Sequence, residues 1–169
     1  MMSAPYRYVF RPAESADVDA ITEVWYAGWR EAHLGHLPDA LLAHRSPQQF
    51  RDRLLDILAT TTVATIGGQV AGLVVTTSDE IEQLYVAAQH RGTGTATALL
   101  RHGESMIARD FPTAFLAVVA GNTRARHFYE REGWQDTGPF DYHAWTSDGD
   151  PVAVPCHRYE KDLLRGGVR

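Results

Sequence analysis

The chain has 169 residues, 44% of them hydrophobic and 22% charged, with a formal net charge of −5 at pH 7. This size and composition predict a single domain spanning 1–169 and exclude extensive disorder. The chain lacks the basic balance that nucleic-acid binding needs and an apolar run long enough for a bilayer, so we expect no nucleic-acid or membrane partner. The N-terminus has no signal-peptide pattern, and we expect a cytoplasmic protein.

The first half of the chain predicts a strand, two helical regions and three further strands. Aromatic and β-branched residues predict a strand at Tyr6–Arg11. A helical period over Ser15–Arg30 predicts a helix with Ser15 as its N-cap, and a second helical region covers roughly 38–59. Three strands follow, the first two joined by a Gly-Gly turn that indicates a hairpin: Thr61–Ile66, Val70–Thr76 and Glu80–Val86.

The second half alternates helices and strands. The stretch 94–109 predicts a helix, and the apolar run Ala114–Val119 predicts a strand buried on both faces. A helix over Asn122–Glu132, with Asn122 as its N-cap, precedes a last strand at Val152–Tyr159. The whole order is β-α-α-β-β-β-α-β-α-β-β, which indicates a mixed sheet in an α/β or α+β fold. The inward stripe of the 94–109 helix is Leu99, Leu100, Gly103 and Ile107.

A glycine-rich segment, Gln89–Thr97, lies between a predicted strand and a predicted helix. The first N–H groups of a helix are unpaired and attract anions, and Gly92, Gly94 and Ala96 let the main chain approach a pyrophosphate. Arg91 adds positive charge. By itself the segment is equally typical of a plain strand-to-helix connection. It is neither a P-loop nor a dinucleotide-binding fingerprint, since the required GK[ST] and third glycine are absent.

A second motif occupies the helix that starts at Asn122. Ala125, Phe128 and Tyr129 fall on one face of it, at positions i, i+3 and i+4. The small alanine permits close approach of a ligand or strand, and the tyrosine carries a phenol that can donate a proton.

Together these motifs resemble the GNAT superfamily of N-acetyltransferases. Arg91–Ala96 matches the family loop, Gln/Arg-x-x-Gly-x-Gly/Ala, and follows the triplet Leu84–Val86 at the family spacing. The later pattern N-x-x-A-x-x-F-Y-x-x-x-G-F/W matches Asn122–Trp134 in full. The resemblance implies the GNAT fold, a mixed and mostly antiparallel central sheet that is splayed in the middle and flanked by helices.

The resemblance also implies acetyl-CoA as the co-substrate. In the family, pantetheine pairs with the strand that ends at Val86, main-chain amides hold the pyrophosphate, and the helix after Asn122 lines the other side. The implied coenzyme-binding residues are Leu84, Tyr85, Val86, Arg91, Gly92, Thr93, Gly94, Thr95, Ala96, Thr97, Asn122, Ala125, Phe128 and Tyr129.

The implied reaction is direct attack of a primary amine, of a small molecule or of a protein, on the thioester. A carboxylate must take the ammonium proton, and Glu80 and Glu82 are the candidates, predicted to alternate on one face with Leu84 and Val86. Either glutamate can equally be a surface or salt-bridged acid. Tyr129 is the candidate general acid for the leaving thiolate, or a packing aromatic. This chemistry requires no metal.

The acceptor side is less defined by the sequence. Trp25, Trp29 and His33 share a helix face and either line an acceptor pocket or pack in the core. The segment Phe140–Pro155 is rich in aromatic and turn residues and forms either part of the acceptor site or a dimer contact, so a homodimer stays open. Lone Cys156 is interpreted as a quiet thiol. A coenzyme A-binding sensor with little catalysis is the second functional hypothesis.

Overall fold

The computed structural model describes residues 8–164, so Tyr6 and Arg7 of the first predicted strand lie outside the described residues. The strands are β1 Val9–Pro12, β2 Thr61–Ile66, β3 Gln69–Thr77, β4 Glu80–Val86, β5 Thr113–Val119, β6 Gln135–Ala144 and β7 Val152–Asp162. The α-helices are α1 Val18–His33, α2 Asp39–Leu42, α3 Pro47–Ile57, α4 Thr95–Ile107 and α5 Thr123–Arg131.

The strands form one seven-stranded sheet in the order β1-β2-β3-β4-β5-β7-β6. Every neighbouring pair is antiparallel except β4 and β5, which run parallel. The β4–β5 register contains a single pair, Glu80 with Phe115, after which the two strands diverge. The mixed, mostly antiparallel and centrally splayed sheet predicted above is therefore confirmed, and the divergence opens a wedge in the middle of the molecule.

Helices cover both faces of the sheet. On one face α1 and α3 pack through Trp25 and Phe50, which are fully buried. On the other face α4 packs through Leu99 and Leu100, and the predicted inward stripe of that helix is buried throughout. Burying each of these large side chains contributes about 1.5–3 kcal/mol, so the two helical layers hold the halves of the split sheet in place.

The predicted start of the first helix is wrong. Ser15 lies inside a short 3-10 turn, Ser15–Asp17, and α1 begins at Val18. The turn is capped by Glu14 and Asp17, whose carboxylate accepts the Glu14 N–H at 2.8 Å and pairs with Arg11 at 2.7 Å. An acid that satisfies both a main-chain donor and a guanidinium caps the turn better than the serine hydroxyl.

Two further expectations are corrected. The helical region predicted over roughly 38–59 is divided into α2 and α3, because Ser46 caps a new helix with Pro47 in its first turn. Strand β5 is not buried on both faces: Leu116 and Val118 are buried, whereas Ala117 is only partly covered. The less covered face of β5 borders the wedge.

Candidate coenzyme and acceptor site

A cleft of about 740 Å³ fills the wedge between β4 and β5. One end is lined by the loop before α4 and by the first turns of α5. The other end is lined by part of α1, by Arg45, by Tyr142 near the end of β6 and by Trp145 just after that strand. The structure therefore joins the two sequence motifs and the helix-face residues Trp25, Trp29 and His33 in one continuous site.

The loop before α4 presents a row of unpaired main-chain donors. Gly94 is the N-cap of α4 and, like Gly92, has a left-handed φ, +84° and +71° respectively. The N–H groups of residues 92–97 find no acceptor among the described residues, and the first amide with a carbonyl partner is Ala98, bonded to Gly94 at 3.0 Å. Six consecutive amides without an acceptor in the described part of the chain, at a helix N-terminus, are an arrangement suited to binding an anion.

Space and charge at this loop suit a pyrophosphate. A methyl group added to Gly92 or Gly94 would meet no protein atom within 4 Å, so the main chain is open to a ligand there. Arg91 pairs with Glu31 of α1 at 2.6 Å, and Arg124 of α5 lies 3.8 Å from the same carboxylate. Two arginines therefore flank the mouth of the cleft, tied to one exposed glutamate.

Helix α5 forms the wall opposite β4. Asn122 accepts the Ala125 N–H at 3.2 Å, which confirms it as the N-cap. Ala125, Phe128 and Tyr129 are half-buried against the core and border the cleft, as their spacing predicts. The Tyr129 hydroxyl has no hydrogen-bond partner among residues 8–164, and burial raises its pKa, so the phenol keeps its proton.

The prediction that both glutamates share a face with Leu84 and Val86 is wrong. A bulge interrupts the β3–β4 ladder, where Gln83 pairs with Val75 but Ile81 pairs with Thr76, so Glu82 has no cross-strand pair in β3. The extra residue reverses the alternation: Leu84 and Val86 pack towards α4, and Tyr85 packs towards α1. The face of β4 that carries the acidic groups is therefore the one towards α1 and α3.

The two glutamates have different surroundings. Glu80 accepts a hydrogen bond from the Tyr142 hydroxyl at 2.7 Å, and burial raises its pKa. Glu82 is held by Arg53 at 3.2 Å through one oxygen and by the Thr77 hydroxyl at 2.8 Å through the other. Both Glu82 oxygens therefore have donors from the protein, whereas one oxygen of Glu80 has no donor among the described residues.

At the end of the cleft that Tyr142 and Trp145 line, which we call the acceptor end, Arg45 lies over two tryptophan rings. Trp25 is fully buried in the core, and Trp29 is almost so. The Arg45 guanidinium lies 3.6 Å from the Trp145 ring centre and 5.7 Å from that of Trp29. Burial lowers the pKa of His33 to about 4, so its imidazole is neutral at pH 7.

The cleft residues that were not predicted from the sequence include Arg45, Tyr142 and Trp145. Tyr142 and Trp145 belong to the segment Phe140–Pro155. This segment is rich in aromatic residues, but no motif in it indicates where it lies in the fold. Arg45 lies between two short helices, where no periodic signal points to a site. Only the folding of β6 against β7 and α2 brings these side chains to the cleft.

Three further observations concern the cysteine, possible metal ligands and possible membrane spans. Cys156 is buried, and burial raises its pKa to about 11, so the thiol is protonated and quiet at pH 7. Residues 8–164 contain no group of three or more His, Cys, Asp or Glu side chains placed to hold a metal ion. Within the same residues, no helix has the length and apolarity needed to cross a membrane.

Comparison with known families identifies the class of protein. The sequence model of the acetyltransferase (GNAT) domain matches residues 33–147, more than half of the chain. The chain therefore belongs to the GNAT acetyltransferase family, a family of enzymes, and the resemblance found in the sequence is confirmed. No curated protein sequence matches it significantly.

Solved structures have the same fold. The PaiA N-acetyltransferase from Thermoplasma acidophilum in complex with coenzyme A is 15% identical, with a TM-score of 0.71 over 92% of this chain and 99% of that one. A GCN5-related N-acetyltransferase from Rhodopseudomonas palustris is 20% identical, with a TM-score of 0.70 over 96% and 98%. An N-acetyltransferase from Staphylococcus aureus is 20% identical, with a TM-score of 0.69 over 93% and 99%.

Proposed function

We propose that the protein transfers an acetyl group from acetyl-CoA to a primary amine of a small molecule or a protein. The observation that carries this proposal is the row of six amides, residues 92–97, that have no acceptor within residues 8–164 and lie beside two strands that diverge after a single pair. The amides bind the pyrophosphate, with Arg91 adding charge, and pantetheine lies along Leu84–Val86 as an added strand. The coenzyme complex of the PaiA enzyme, which has the same fold, supports this choice of ligand.

The wall of α5 completes the coenzyme site in this proposal. Asn122 fixes the start of the helix, and Ala125 leaves room for the pantetheine arm to pass. Phe128 gives the arm an apolar surface, since it is only half-buried by the protein itself. The coenzyme therefore lies between one helix and one open strand edge, with its thioester directed towards the acceptor end.

Glu80 is the proposed general base. An alkylammonium has a pKa near 10.4 and must lose a proton before its nitrogen can attack. The raised pKa of Glu80 makes it a better proton acceptor than an ordinary glutamate, and Tyr142 orients it through the 2.7 Å hydrogen bond. Glu82 holds Arg53 in place and is not assigned a proton transfer.

The bond changes follow directly from these roles. The amine nitrogen attacks the thioester carbonyl, a C–N bond forms, and a main-chain N–H of Leu84–Val86 stabilises the oxyanion. The intermediate collapses by breaking the C–S bond, and Tyr129 donates its proton to the leaving thiolate. The nitrogen loses its second proton and Tyr129 is reprotonated, so the products are the amide, coenzyme A and one proton.

Two measurements test the proposal. Calorimetric titration with acetyl-CoA should give saturable binding, and amine-dependent thiol release should follow turnover, with little background because Cys156 is buried. Absence of binding would refute the site itself. Binding without release for any amine, peptide or lysine-bearing protein would instead favour the coenzyme A-binding sensor.

A further inference from the structure

Arg45 is a buried cation without a counter-ion among residues 8–164. It is 7% exposed and lines the acceptor end of the cleft. Its Nη1 donates to the His44 carbonyl at 3.1 Å, and its Nε finds no acceptor among the described residues. No carboxylate described in the structure pairs with it, although Arg53, its neighbour across the Trp145 ring, is neutralised by Glu82.

The surroundings of Arg45 hold its guanidinium in one orientation. The Trp145 ring covers one face at 3.6 Å, and the hydrogen bond to His44 fixes one nitrogen. Cation–π contacts compensate part of the desolvation of the charge but satisfy no N–H donor. An arginine held in this way presents its remaining donors as a planar fork, the geometry that binds a carboxylate through two parallel hydrogen bonds.

We infer that the acceptor is an amine that also carries a carboxylate, which Arg45 binds at the same end of the cleft where Glu80 receives the amine proton. This inference rests on the proposed acetyl transfer and narrows its acceptor to amino acid-like molecules. It also gives Arg45 the anionic partner that the described part of the protein does not provide. A buried donor that gains its acceptor only with the correct substrate discriminates strongly against analogues that lack that acceptor.

Matched pairs of acceptors test the inference. Each pair is an amino acid and the amine left after its decarboxylation, such as methionine and 3-methylthiopropylamine, or phenylalanine and phenethylamine. We expect kcat/KM to favour the carboxylate member by about 10- to 100-fold in the pair that fits best. Equal kcat/KM within every acetylated pair would overturn the inference while leaving acetyl transfer intact.

Variants of Arg45 separate a binding role from a structural one. Arg45→Gln should remove the preference, because KM for the carboxylate member should rise at least tenfold more than KM for the simple amine. Arg45→Lys should keep part of the preference, because it retains the charge but loses the fork. Arg51→Gln, on the exposed arginine that pairs with Asp19 outside the cleft, is the control and should preserve the preference. Equal loss for both members in Arg45→Gln would overturn the inference.

A binding measurement keeps the inference testable without turnover. In the presence of coenzyme A, the N-acetylated amino acid should bind to the wild type at least tenfold more tightly than the N-acetylated amine, and Arg45→Gln should abolish the difference. An aminophosphonate analogue serves as a further arm, since tighter binding of that group than of the carboxylate would overturn the assignment. Failure to bind acetyl-CoA at all would refute the proposed function instead.

Discussion

Replacing Gly94 by alanine tests whether the loop before α4, residues 92–97, binds coenzyme A. Gly94 has a φ of +84°, where a Cβ costs about 1–2 kcal/mol. For a chain of this length that cost lowers Tm by about 2–8 °C. The new methyl group meets no protein atom within 4 Å, so it projects into the space assigned to the ligand. Loss of one amide–phosphate hydrogen bond, at about 1.5–3 kcal/mol, predicts coenzyme A binding weaker by about 10- to 150-fold.

Gly68 offers a matched control for this variant. It lies in the β2–β3 turn with a φ of +79°, and a methyl group there also meets nothing within 4 Å. Gly68→Ala should therefore lose the same stability in a thermal melt while its Kd for coenzyme A, measured by calorimetry, stays at the wild-type value. If the two variants bind coenzyme A equally well, the amides of residues 92–97 do not form the phosphate site.

The other predictions concern catalysis and the mouth of the cleft. Because burial raises the pKa of Glu80, its ionisation costs stability as pH rises above the ordinary pKa. Glu80→Gln should thus keep or raise Tm at neutral pH, while kcat falls by about 10²-fold or more. In the wild type, kcat/KM should fall as the pH drops through the raised pKa of Glu80. If kcat/KM of the variant shows the same fall at low pH, Glu80 is not the base. Tyr129→Phe should lower kcat with the Kd of coenzyme A kept, and an unchanged kcat would remove its acid role. Glu31→Gln frees Arg91 and Arg124, so coenzyme A should bind up to about fivefold more tightly at low salt, a gain that must vanish at high salt if it is electrostatic.

Much of the fold and of the coenzyme loop was predictable because the signals are local. The glycines of the loop encode a left-handed turn at a helix start, and the Asn122 side chain caps its own helix three residues later. Strand and helix periods gave the element order. The family motifs placed Tyr129 on the cleft wall, since positions i, i+3 and i+4 of a helix share a face regardless of what packs around it.

Only the tertiary structure shows which face of β4 carries Glu80 and Glu82, and which side chains line the end of the cleft that is proposed to bind the acceptor. The bulge at Glu82 arises from pairing with β3, and a period-two interpretation of β4 has no means of detecting an unpaired residue. The meeting of Arg45 with Trp145, a hundred residues along the chain, depends on how β6 closes against α2. Local sequence determines the conformations that a segment prefers, whereas the charge and contacts of a site depend on which distant segments share the burial of its side chains.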